Sequence, residues 1–148
     1  MFKHILLPTD GSKLSDRAVD RGLELAKSLG ARVTAMHVIP EFRLMADESF
    51  VLPTSPDLKK RYEKEAKGRA EKLLQKINGR AGTLAVDCDG VVVMGDVPFE
   101  HIIETAKKRK CDLIMMASHG RRGLSGLLLG SETSKVLTHS KIPVLVVR

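Results

Sequence analysis

Five short apolar runs, spaced along the chain by segments of helical period, constrain this sequence more than any other feature. The runs are Ile5-Leu6-Leu7, Ala31 to Ile39, Leu84 to Met94, Asp112 to Met116 and Ile142 to Val147. Between the first two, apolar or small residues recur at Leu14, Ala18, Gly22, Leu25, Ala26 and Leu29. Leu58, Tyr62, Ala66, Ala70, Leu73, Leu74 and Ile77 repeat the same spacing, and Phe99, Ile102, Ile103 and Ala106 do so again. Near-continuous apolar strands must be covered on both faces, and one-sided helices are what cover them. The order β-α-β-α-β-α-β-α-β therefore predicts an α/β fold, an open parallel sheet with helices on both faces.

Local chemistry sets the expected boundaries. Pro8-Thr9-Asp10-Gly11-Ser12 is a turn-and-cap cluster after strand one, and Gly30 stands where a left-handed helix stop is wanted. Asp57 reads as the N-cap of the second helix and Asn78-Gly79 as its end. Gly90 marks an irregularity in the third strand, which is expected over Leu84 to Met94. Pro98 sits near the first position of the third helix, and Lys107-Lys108-Arg109-Lys110 complements its C-terminal dipole. Pro40 to Pro56 has no steady period, and a loop that long in a compact domain is often functional. The last helix is expected around Ser131 to His139.

With 148 residues the chain can bury one good core, so one domain over residues 1–148 is expected. No run approaches the roughly 20 apolar residues of a membrane span, and the start is too short for a signal-peptide core, so a cytoplasmic protein without membrane contact is expected. Cys88 and Cys111 lack metal-ligand spacing and read as buried thiols. A net charge of +7 favours anionic partners, but no Trp, one Tyr and four Phe leave little aromatic surface for stacking bases, which counts against nucleic acid.

The most chemically suggestive stretch runs from Met115 to Ser131, an apolar strand entering a basic, glycine-punctuated loop and then a helix start. Unpaired N–H groups at a helix N-terminus attract anions, and glycines let the main chain approach phosphate oxygens. In a parallel sheet such a loop and Pro8-Thr9-Asp10 face one crevice if the strand order reverses between strands one and four. The loop carries no GxxxxGK[ST], the chain has no GxGxxG after its first strand, and Gly123-Leu124-Ser125-Gly126-Leu127 misses GxSxG at its last position. A phosphate site and a flexible surface loop both remain open from these residues alone. Asp10 and Thr9 could instead serve the first helix as caps, Arg121 and Arg122 could clamp phosphate or simply be solvated, and His119 reads as a turn histidine for want of a nucleophile.

Pro8-Thr9-Asp10-Gly11-Ser12, His37-Val38-Ile39, Gly95-Asp96-Val97-Pro98 and, above all, Ser118-His119-Gly120, nine residues, then Gly130-Ser131, resemble the universal stress protein family from Lys3 to Arg148. The resemblance implies a five-stranded Rossmann-like sheet of order 3-2-1-4-5, a homodimer, and either an ATP-binding or a non-binding branch. The ATP-binding branch carries Gly, two residues, Gly, nine residues, then Gly followed by Ser or Thr. This chain has Gly120, Gly130 and Ser131 in place but Ala117 at the first glycine, which makes it a relaxed member of that branch.

Carried over by position, the resemblance implies that Pro8, Thr9 and Asp10 line the nucleoside and that the backbone of Val38 meets adenine. Met116, Ala117 and Gly120 run along ribose and phosphates, and Gly130, Ser131, Glu132 and Thr133 cap the phosphates. The implied ligand is ATP, with Asp10 able to hold an accompanying Mg²⁺ and the Glu132 carboxylate either turned away or meeting a metal. The implied role is a regulatory nucleotide-binding module acting on a partner protein. A slow ATPase or transferase, and a ligand-free interaction module, are the alternatives, and no set of base, nucleophile and metal carboxylates can be assembled for a fast enzyme. Val144 to Val147, an apolar strand at a sheet edge, is the expected dimer contact.

Overall fold

The computed structural model describes residues 1–43, 56–119 and 129–148. Strands β1 (His4–Pro8), β2 (Arg32–Ile39), β3 (Cys88–Met94), β4 (Leu113–Ala117) and β5 (Val144–Val147) alternate with helices α1 (Lys13–Leu29), α2 (Pro56–Thr83), α3 (Pro98–Lys108) and α4 (Ser131–His139). The strands pair in parallel in the order β3-β2-β1-β4-β5. The expected Rossmann-like α/β sheet of order 3-2-1-4-5 is what the chain forms. No helix among the described residues is long and apolar enough to cross a membrane.

Side-chain alternation along each strand sorts the core into two layers. Ile5, Leu7, Val33, Ala35, Leu113 and Met115 belong to one cluster, which also takes in Val19, Leu23, Leu74 and Ile77 from α1 and α2. Leu6, Met36, Ile114 and Met116 belong to the other, with Ile102 and Ala106 of α3 and Val136 of α4. Gly22 brings α1 close to the sheet, since a Cβ there would lie 2.4 Å from Leu7 Cδ2. That close approach fixes where the turn between β1 and α1 must sit.

The second helix and third strand depart from expectation. Helix α2 passes through Asn78-Gly79 and ends at Thr83, with Asp57 inside its first turn and Pro56 its first residue. Asn and Gly weaken a helix by up to about 1 kcal/mol each. Buried Ile77 and Ala81 offset this, as does Arg80, which reaches Asp16 at 2.6 Å and Asp20 at 2.7 Å on α1. The strand starts at Cys88 and not at Leu84, because Leu84 and Val86 donate back to Ala81 O and Ala85 takes φ 56° to stop the helix. Gly90 is no irregularity: it holds its register opposite Ala35, and a Cβ would press to 3.1 Å from Leu74 Cβ on α2. Cys111 is buried and Cys88 half-buried; burial pushes both thiols up to about 11, so each stays protonated at neutral pH.

At the amino ends of the strands the polar groups satisfy one another. The fully buried Thr34 hydroxyl donates to Asp89 Oδ1 at 2.5 Å, which leaves its oxygen to accept from His4 Nε2 at 2.8 Å. Asp89 Oδ2 accepts from Arg109 Nη1 at 2.7 Å, beyond the end of α3. Asp112 closes the corner by accepting from the backbone N–H groups of Lys3 at 2.8 Å and His4 at 2.9 Å. Burial, helped by Arg32, holds the His4 imidazole below its ordinary range against the opposing pull of Asp89, the Arg109 carbonyl and Asp112. Burial pushes the Asp112 carboxyl up, but the hydrogen bonds from His4 and Lys3 outweigh it and leave the group below its ordinary value.

Candidate functional site

The strand order reverses between β1 and β4, so the chain leaving β1 at Thr9 and the chain leaving β4 at Ser118 start from the two sides of the switch point of the sheet. On the β1 side, Thr9 N donates to Met36 O at 2.8 Å and carries the chain across the top of β2. The buried Thr9 hydroxyl pairs with Ser15 Oγ at 3.0 Å and accepts from Gly11 N at 3.1 Å. Asp10 Oδ1 accepts from Ser12 N at 2.9 Å, Gly11 takes φ 76°, and Ser12 is the N-cap of α1, its hydroxyl accepting from Ser15 N. The alternative reading of Thr9 and Asp10 as caps of the first helix does not hold: Ser12 is the N-cap, and both residues shape the turn that precedes it. This helix end is closed by its own side chains.

Helix α4 begins differently. Its N-cap is Gly130, which has no side chain to offer, so among the described residues no N-cap side chain meets the first-turn N–H groups of Ser131, Glu132 and Thr133. Gly130 N donates to Ser118 O at 2.8 Å, and Thr133 Oγ1 donates to Ala117 O at 2.9 Å, fastening the helix start to the end of β4. A Cβ at position 130 would lie 3.0 Å from His119 Cα and 3.3 Å from Ser118 O, both main-chain atoms with little room to give. The glycine is required by close packing, since its φ of −61° suits any residue. The positive end of α4 is thus fastened to the end of β4, the strand that pairs with β1.

His37 joins the walls: its Nδ1 lies 2.8 Å from Thr9 O, and because a carbonyl can only accept, Nδ1 carries the proton. Val38, next in the chain, is half-buried near the top of β2. Beyond it, Gly95 N donates to Ile39 O at 2.9 Å, and Asp96 accepts from Glu41 N at 3.0 Å while pairing with Arg43. These contacts hold the chain leaving β2 against the chain leaving β3.

The fold therefore gathers Pro8, Thr9, Asp10, Val38, Met116, Ala117, Gly130, Ser131, Glu132 and Thr133 at the carboxyl edge of the sheet or the helix start above it. Met116 is 7 % exposed and belongs mainly to the core, and Ala117 is buried opposite Val147 on β5. Gly120, Arg121, Arg122, Gly123 and Gly126 lie outside the described residues, as does most of the Pro40 to Pro56 segment. Sequence reasoning assigned no role to His37 or Ser15. The polar spacing of Thr9, Ser12 and Ser15 was a usable signal for the second; the motif His37-Val38-Ile39 marked the first without indicating its contact with Thr9 O.

The Glu132 carboxylate does not face the α4 axis. Its Oε2 accepts from Phe99 N at 2.8 Å and its Oε1 meets Lys135 Nζ at 2.9 Å. Among the described residues no group of three or more His, Cys, Asp or Glu side chains is placed to hold a metal ion. Asp10, in the turn after β1, accepts from Ser12 N at 2.9 Å.

Comparison with known proteins agrees with this fold. The sequence model of the universal stress protein family matches residues 1–148. Universal stress protein MJ0531 of Methanocaldococcus jannaschii is 33% identical across 100% of this chain and 83% of its own length. MJ0577 of the same organism is 31% identical across 100% of this chain and 96% of its own. The solved structure of MJ0577 superposes with a TM-score of 0.83, covering 99% of this chain and 96% of that one. A universal stress protein solved in complex with cAMP gives a TM-score of 0.70 at 26% identity, covering 99% of this chain and 97% of that one.

Proposed function

The chain belongs to the universal stress protein family, and from that premise we propose that it is a regulatory module that binds an adenine nucleotide, ATP in the first instance, in the crevice between β1 and β4. One observation carries the reading: α4 starts at a glycine N-cap fastened to the end of β4, and the order of the strands reverses between β4 and β1, which runs into the turn Thr9-Asp10-Gly11-Ser12. Phosphates at that start would take the N–H groups of Ser131 to Thr133 and the Ser131 hydroxyl, while Pro8, Thr9, Asp10 and the Val38 backbone line the nucleoside side. The cAMP complex of a relative supports the same ligand class. Met116, Ala117 and Gly120 complete the proposed lining.

The donor set suits a cation that arrives with the phosphates and takes few protein ligands, with Asp10 as the residue to receive Mg²⁺. Hydrolysis would need a positioned base, and the described residues around the helix opening offer none within a developed catalytic set. The β5 edge, with Leu145 38 % exposed, is the surface through which a second copy would pair strand to strand.

Equilibrium dialysis against labelled ATP tests the proposal. Saturable binding by the wild type is expected, and its absence up to millimolar nucleotide would defeat the reading. Following ADP release over hours then separates a binding module from a slow ATPase: fast release, lost in Asp10→Ala, would make it an enzyme.

A further inference from the structure

Helix α3 opens without a cap of its own. Val97 holds the N-cap position, makes no side-chain cap hydrogen bond, and is followed by Pro98, so the Phe99 N–H needs an acceptor from elsewhere. Glu132 of α4 supplies it at 2.8 Å through Oε2, while Oε1 binds Lys135 Nζ at 2.9 Å. The Lys135 ammonium in turn lies 5.4 Å from the centre of the Phe99 ring, whose other neighbour is His139, with ring centres 5.4 Å apart. One carboxylate thereby locks the starts of two helices together.

This lock has a consequence for charge. Glu132 is the second residue of the helix whose start is the proposed phosphate seat, so its carboxylate is anchored from the first turn at that seat. It cannot swing into solvent without uncapping α3. Lys135 pairs with it at 2.9 Å from a place one turn further along α4, and both side chains remain partly exposed, at 34% and 47%. Screening of such a pair is partial, and the field at the seat stays sensitive to either partner.

The geometry points to Glu132 as a specificity-determining residue that sets which phosphate charge the crevice accepts. It disfavours a metal-free polyphosphate relative to a nucleoside monophosphate or a cation-neutralised triphosphate. Repulsion grows with the charge placed at the seat, so AMP feels it least and ATP without a cation feels it most. This inference rests on the nucleotide reading of the crevice.

Calorimetric titration at low ionic strength with AMP, with ATP in EDTA and with Mg²⁺-ATP tests it on the full chain. Glu132→Gln keeps an oxygen for Phe99 N–H, removes the charge and frees Lys135; it should tighten metal-free ATP by roughly three- to tenfold and AMP by less than about twofold. Lys135→Met leaves the carboxylate unbalanced without touching the Phe99 bond, and should weaken metal-free ATP more than AMP. Equal factors for AMP and ATP in either variant, or shifts in the reverse sense, would overturn the role of Glu132 alone. A wild type that binds none of the three nucleotides would overturn the nucleotide reading and this inference with it.

Discussion

The two ends of one sheet treat polar groups in opposite ways. At the amino ends of the strands, His4, Thr34, Asp89, Arg109 and Asp112 form hydrogen bonds among themselves and with the main chain. At the carboxyl ends the β1 turn is likewise self-satisfied, but the start of α4 carries a glycine cap and no side chain. A buried polar group without a partner costs about 1 to 3 kcal/mol, so a polar end of the sheet must pair internally or face a ligand or water. The amino end does the first; the proposed function gives the carboxyl end the second.

The largest effect that separates the two ends should come from Gly130→Val. A branched side chain where even a Cβ lies 3.0 Å from His119 Cα must displace the α4 start, so ATP affinity measured by dialysis should fall at least about tenfold. Thr34→Val should act in the opposite sense. It strips His4 and Asp89 of their shared hydroxyl and should lower stability by about 2 kcal/mol in urea unfolding, while ATP affinity stays within about twofold of wild type.

Ser12→Ala removes the α1 cap and should cost about 1 kcal/mol by the same measurement, with little change in binding. The smallest effect is a pH dependence. The folded His4 binds its proton less readily than the unfolded chain, so its contribution is complete above the unfolded value of 6.5 and is lost as pH falls through the lowered folded value. Asp112, also lowered, adds a loss only as pH falls below 3.8. Denaturant midpoints between pH 7 and 5 should therefore decline in the wild type and decline less in His4→Gln.

The sheet was legible because its signals are local. Alternation of runs such as Ile5-Leu6-Leu7 with stripes such as Phe99, Ile102, Ile103 and Ala106 states both element type and buried face. Gly30, with φ 62°, and Pro98, at the helix start, marked ends by backbone restriction alone. Asn78-Gly79 misled because the residues that carry α2 past it act across space: Arg80 finds Asp16 and Asp20 on another helix, and Ala81 finds the core. Gly90 misled for the same reason, since what demands a glycine there is Leu74 on α2 and not the strand itself.

For the site, family resemblance assigned Pro8, Thr9, Asp10, Val38 and Gly130 to Thr133 to a nucleotide; the fold sets them at the carboxyl edge of the sheet or the start of α4, and their role toward a ligand belongs to the proposal. The tie between His37 and Thr9 O needed the β1–β2 register, which spacing does not reveal. Glu132 shows the limit most clearly. An acidic residue after Gly-Ser reads as a phosphate neighbour, and its attachment to Phe99 follows only once α3 and α4 lie side by side. A cap-less Val97-Pro98-Phe99 was the one hint in the chain that an acceptor had to come from elsewhere.

Titrating ¹⁵N-labelled protein with ATP and following backbone amide shifts tests the contrast between the two ends most directly. The account predicts saturable shifts at Asp10, Gly11, Ser131, Glu132 and Thr133, with His4, Thr34, Asp89 and Arg109 unmoved. Saturable shifts centred on His4, Thr34 and Asp89, with the α4 start silent, would contradict it.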